Sequence, residues 1–255
     1  MDHGIPLVAV AHGSRDPRSA ATVHELLTVV RALAPGLDVR SAFLELSAPR
    51  LGEVLTGLYE QGHREVVVAP LLLGRAYHAK VDLPGAVSEV VTRLPRLSVR
   101  IADVLGPDPR LESAALRRLA EAGAAPGDRE LGVVLAGAGS SHEPANATVR
   151  ALARRWSMNA GWAGVEAAFA ASAQPEVATV VERLKALGAQ RIALASWFLA
   201  PGLLPDRVIA AARASGLDTV VARPLGDDPE VAELVLHRYA EACAAERRNL
   251  TTLVG

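Results

Sequence analysis

The chain has a single cysteine, Cys243, among 255 residues. One thiol excludes an internal disulfide, an iron-sulfur cluster and a cysteine-built zinc site, so any metal must rest on imidazole and carboxylate groups. Neither sign of charge is in excess: 27 basic and 28 acidic residues leave a formal net charge of -1. Such a chain sets up no long-range field for nucleic acid or a membrane surface, and neither is expected as a partner. Long apolar runs are missing too. The opening MDHGIPLVAVAHGS has no basic region, its apolar stretch breaks at Gly13, and no later run reaches the length of a bilayer span. The expectation is a cytoplasmic protein. Lysine occurs only at Lys80 and Lys185, so an anionic ligand must be met locally and mostly by arginine.

What is present is a β-α rhythm. Short apolar runs at 7–11, 39–46, 65–73 and 97–105 alternate with amphipathic stretches that end at glycine or proline, which predicts a parallel sheet. A small-residue and polar stretch at 121–130 interrupts the rhythm, and GVVLAGAGSSHEP restarts it. The two halves are related. Gly13-Ser14 falls on Gly139-Ser140, Phe43 on Phe169, Pro49 on Pro175 and Gly62 on Gly188, always 126 positions apart, and Leu-Gly-Pro-Asp-Pro at 105–109 recurs as Leu-Gly-Asp-Asp-Pro at 225–229. An internal duplication into two tandem parallel-sheet α/β domains, 1–123 and 130–255, is therefore expected.

In a parallel sheet the loops leaving the strand ends share one edge, so polar residues there converge. His12 follows the first strand, Glu45 closes the second and His78 lies beyond the third, at equal spacings of 33. Neighbouring strands are about 4.8 Å apart, close enough for such side chains to meet around one ion. Two imidazoles and a carboxylate suit a first-row divalent metal and not magnesium or calcium. The second half is an internal control: His12 meets Ala138, Glu45 meets Ala171 and His78 meets Leu204. All three vanish together while the glycines, prolines and aromatics remain, which predicts one active half and one supporting half. Of the other histidines, His24 is expected on a solvated helix face, His237 on a terminal helix, His63 at the opposite sheet edge and His3 at a frayed terminus. His142 sits in the counterpart of the His12 loop and is a candidate substrate contact.

AHGSRDP at 11–17, FLELSAPRL at 43–51 and VVVAPLLLGRAYHAKVDLP at 66–84 resemble the class II sirohydrochlorin chelatases of the CbiX/SirB type. The resemblance is dense over the first half and holds in outline over the second. It implies the chelatase fold with a macrocycle cleft between two similar domains. It also implies insertion of a divalent metal, iron(II) ahead of cobalt(II), into sirohydrochlorin toward sirohaem or cobalamin, a lyase-type reaction. It carries metal-binding and catalytic roles onto His12, Glu45 and His78. Short archaeal relatives build this architecture as homodimers, whereas a duplicated chain is expected to act as a monomer. The metal is a substrate here, and no organic cofactor or iron-sulfur cluster is expected.

Insertion requires loss of the pyrrole N-H protons and of the metal's water, tasks within reach of imidazoles near their ordinary pKa of about 6.5. Which of the three residues is ligand and which is base is left open. The carboxylates of the substrate call for local donors, and Arg15, Arg75, Lys80, Ser14, Ser140, Ser141 and His142 are the candidates, with Arg18 and Arg50 behind them. Alternatives remain. GAGSSH at 137–142 follows a strand as a nucleotide loop would, but His142 stands where a third glycine belongs. A histidine phosphatase would place arginine where Ala11 stands. A metal carrier without catalysis, or a chelatase for nickel or another tetrapyrrole, would use the same ligands. In a carrier, Tyr77, Leu71–Leu73, Trp197 and Phe198 would be wasted as cleft walls.

Overall fold

The computed structural model describes residues 4–74 and 81–253, with side chains through residue 245. In the first half the described elements are β1 (Leu7–Ala11), α1 (Pro17–Leu33), β2 (Val39–Phe43), α2 (Leu51–Glu60), β3 (Glu65–Pro70), α3 (Leu83–Arg93), β4 (Ser98–Ile101) and α4 (Pro109–Glu121). The second half repeats them as β5 (Leu131–Gly137), α5 (Glu143–Asn159), β6 (Gly164–Phe169), α6 (Val177–Ala186), β7 (Arg191–Trp197), α7 (Leu203–Arg213), β8 (Asp218–Val221) and α8 (Pro229–Leu253). The strands form two four-stranded parallel sheets, ordered β2-β1-β3-β4 and β6-β5-β7-β8. This is the duplicated α/β architecture that the sequence predicts.

The central strands carry near-continuous apolar runs because helices cover both of their faces. Leu7, Val8, Ala9 and Val66–Ala69 are fully buried, as are Leu55 and Leu58 of α2 and Leu83 of α3. Each such leucine contributes about 1.5–3 kcal/mol of transfer free energy. α2 and α3 pack with β1 and β3 in one cluster, whereas α1 packs against α8. The connections from β1 and from β3 thus leave toward opposite faces, and the gap between these two strands is the point at which an open parallel sheet binds its ligand.

Packing divides the chain into residues 4–106 with 227–253, and residues 107–226. Each half of the repeat gives its last helix to the other sheet. α8 packs on β3 and β4, and α4 packs on β7. The stretch at 122–130 is accordingly a loop inside the second unit, joining α4 to β5. The Leu-Gly-x-Asp-Pro repeat marks both exchanges. Leu105 and Leu225 are fully buried. The carboxylates of Asp108 and Asp228 accept the backbone N–H of Arg110 and of Glu230, each at 3.0 Å, so that each aspartate caps the helix it precedes. Arg118 of α4 donates to the Leu225 carbonyl at 3.2 Å, and its equivalent Arg238 of α8 donates to the Leu105 carbonyl at 3.1 Å. Each guanidinium holds the carbonyl that follows the last strand of the sheet it has joined.

Among the described residues no helix is long and apolar enough to cross a membrane.

Candidate active site

β1 ends at Ala11, and the next residues stay paired with the chain leaving β2. Leu44 N–H donates to the Ala11 carbonyl at 3.0 Å and Glu45 N–H to the His12 carbonyl at 2.8 Å. His12 and Glu45 are therefore held side by side by their own backbones at the carboxyl edge of the first sheet. Gly13 has φ +96°, and a Cβ there would lie 1.7 Å from the Glu45 carbonyl oxygen. Only glycine fits, because the two loops touch at this point. Leu46 is left-handed at φ 60°, Ser47 N–H returns to the Glu45 carbonyl at 2.6 Å, and the Ala48-Pro49 bond is cis. His12 is half-buried and Glu45 is exposed, so the imidazole is partly withdrawn from solvent while the carboxylate faces it.

The second sheet reproduces this backbone closely. Ala170 N–H donates to Gly137 at 2.9 Å and Ala171 N–H to Ala138 at 3.0 Å. Gly139 has φ +83°, and a Cβ there would lie 1.9 Å from the Ala171 carbonyl oxygen. Ser172 is left-handed and Gln174-Pro175 is cis. Ala138 and Ala171 stand in the places of His12 and Glu45, on a scaffold of the same shape.

Of the expected ligands, the structure thus brings His12 and Glu45 together. His78, with Arg75, Tyr77 and Lys80, lies outside the described residues. Among the described residues no group of three His, Cys, Asp or Glu side chains forms a metal site. Ser14 is half-buried and its hydroxyl accepts Asp16 N–H at 3.1 Å; Ser140 repeats this with His142 N–H at 3.0 Å. In both cases the hydroxyl proton is left to donate. Arg15, Ser141 and His142 are exposed. Arg18 is engaged by Asp16, donating twice from Nε at 3.0 and 3.1 Å. This fork holds the Asp16 carboxyl below its ordinary 3.8. Arg50 donates to the Leu44 carbonyl at 3.0 Å. Trp197 is 8% exposed and Phe198 packs on the core of the second sheet, so both serve packing first. His24 and His237 are exposed. His63 lines a cavity of about 650 Å³ at the opposite sheet edge, with Gly4, Asp38 and Gln61, away from His12 and Glu45.

Sequence reasoning missed Ser47 and Asn146, which clasp the two equivalent loops. The signal was available in the repeat: Ser47 falls on Ala173 and Asn146 on Ala20.

The sequence model of the CbiX family matches residues 6–122 and again 132–242. The chain is 27% identical over 202 residues to the sirohydrochlorin cobaltochelatase of Priestia megaterium, covering 78% of this chain and 65% of that protein. It thus spans just under two thirds of that relative's length. It is 24% identical over 241 residues to the sirohydrochlorin ferrochelatase of Bacillus subtilis (strain 168), covering 93% and 92%. The fold is similar to that of SirB from Bacillus subtilis with Fe3+, with a TM-score of 0.79 at 22% identity over 94% of this chain and 96% of that one.

Proposed function

The chain belongs to the CbiX family, and from that premise we propose that it is a sirohydrochlorin chelatase. It inserts iron(II), or in second place cobalt(II), into the macrocycle. Relatives bearing both activities in their names support this reading. The observation that carries it is the contrast between two loops of one shape, of which only the first bears His12 and Glu45.

In this reading His12, Glu45 and His78 hold the incoming ion and take up the pyrrole protons. The half-buried imidazole of His12 offers a ring nitrogen that can hold the ion or accept a proton. Glu45, exposed beside it, offsets the ion's charge and can pass a proton to solvent. Two imidazoles and a carboxylate leave coordination positions open for the pyrrole nitrogens, as a delivering site requires. Arg15, Arg75, Lys80, Ser14, Ser140, Ser141 and His142 are proposed to contact the substrate carboxylates. The duplicated chain supplies both halves itself, so a cytoplasmic monomer is proposed.

The test is the absorbance change of sirohydrochlorin on adding iron(II) or cobalt(II) with purified protein. Acceleration over the protein-free control is expected, and competition between the two ions ranks them. An unchanged time course would overturn the reading. Tight cobalt(II) uptake without acceleration would mark a metal carrier instead.

A further inference from the structure

The two site loops differ in how one residue's backbone is satisfied. In the first, the Ser47 hydroxyl accepts Ser14 N–H at 3.1 Å and donates to the Ser14 carbonyl at 2.9 Å. In the second, Ala173 replaces Ser47 and Asn146 takes over both bonds. Its Oδ1 accepts Ser140 N–H at 2.9 Å, and its Nδ2 donates to the Ser140 carbonyl at 2.7 Å. In the first half the position of Asn146 is held by Ala20. The exchange is reciprocal.

The two solutions satisfy the same polar groups, as buried backbone requires, yet they are mechanically different. Asn146 stands on α5, the helix that its own loop enters, and is 3% exposed. It ties the loop to that helix alone. Ser47 stands two residues beyond Glu45 and ties the His12 loop to the Glu45 loop. Between Glu45 and Ser47 lies the left-handed Leu46, in a three-residue turn closed by the 2.6 Å bond to the Glu45 carbonyl. Strained turns of this type persist where surroundings hold them, and the pair of bonds to Ser14 is such a hold. The cross-tie occurs in the half that carries the ligands and is replaced in the half that lost them.

We propose that Ser47 is a positioning residue whose hydroxyl fixes Glu45 against His12 and so sets the metal affinity of the site. This rests on the reading of His12 and Glu45 as metal ligands.

The experiment measures cobalt(II) affinity by titration, alongside the thermal midpoint, in the full chain. Ser47→Ala should lower the midpoint by about 2–4 °C. It should also weaken cobalt(II) binding by about tenfold to a hundredfold, the usual effect of removing a group that orients a ligand. Adding Ala20→Asn imports the second half's solution. It should restore the midpoint while leaving binding weak, because the bonds from residue 47 to Ser14 stay absent and only the backbone pairing joins the two loops. Full recovery of cobalt(II) affinity in Ser47→Ala/Ala20→Asn would overturn the proposal, leaving Ser47 a backbone partner only. Should Ser47→Ala fail to fold, the double variant carries the test alone. Ser47→Thr keeps the hydroxyl and should bind cobalt(II) near wild type; a loss as large as that of Ser47→Ala also overturns it. Wild-type protein that takes up no cobalt(II) would overturn the ligand reading and this inference together, an outcome distinct from recovery in the double variant.

Discussion

The segments at 11–18 and 137–144 show what a fold needs apart from what a reaction needs. Both leave a central strand, turn at a glycine pressed onto a neighbouring carbonyl and enter a long helix. Both lie beside a strand whose exit holds a left-handed residue and a cis-proline. Even the aromatic end of the adjacent strand is covered in both, by the His24 ring, edge-on with its centre 6.2 Å from that of Phe43, and by the Arg150 guanidinium 5.4 Å from the Phe169 ring centre. The contact is kept and its chemistry is free to change. Only the first segment places an imidazole, His12, beside Glu45 at the exit of the neighbouring strand; Ala138 and Ala171 hold those two positions in the second. A scaffold retained without the side chains it could present indicates that the scaffold has a structural value of its own.

The comparison breaks most sharply at the proposed ligands. His12→Ala should reduce metal insertion by about a hundredfold or more, the range of a lost acid-base group. Ala138→His and Leu204→His, at positions where no ligand is proposed, should leave the rate largely intact. Equal losses from both halves would end the one-site reading. Next come the glycines. Gly13→Ala and Gly139→Ala force a Cβ onto a carbonyl in a left-handed backbone, and each should cost about 2 kcal/mol or more in denaturant unfolding. The two should be alike in stability and unlike in cobalt(II) affinity, which only Gly13→Ala should weaken.

The smallest effect is electrostatic. Arg150, and then Asn146, hydrogen-bond the Glu143 carboxylate and hold it below its ordinary 4.5, as Arg18 holds Asp16 below 3.8. A depressed folded pKa adds stability above the unfolded value, and that stability is lost as pH falls through the folded one. The loss therefore begins below pH 4.5 for Glu143 and below 3.8 for Asp16. Glu143 is exposed and Asp16 partly so, so solvent screens the effect. Carboxyl NMR titration should show Glu143 rising in Arg150→Met and Asp16 rising in Arg18→Met, each without moving the other.

The strands, their parallel order and the duplication were legible because apolar runs and glycine turns are local signals. The adjacency of His12 and Glu45 was legible because strand ends converge. Ser47 was not. Its work is a pair of bonds to a residue 33 positions away, and the one mark it leaves, a mismatch with Ala173 across the repeat, does not by itself reveal that partner. The exchanged helices were also hidden. α4 and α8 have apolar faces that fit either of two related sheets, and the arginines that hold them, Arg118 and Arg238, look like any others among many.

That exchange bears on the order in which the molecule matures. Residues 107–226 form a continuous unit, whereas the sheet bearing His12 and Glu45 waits for α8, whose Val231, Ala232, Leu234 and Val235 are fully buried. Chains emerge from the ribosome at about 5–20 residues per second, so the interval is on the order of ten seconds. The half made first is thus the half finished last, and its edge bearing His12 and Glu45 is completed only after residues 107–226 have been made.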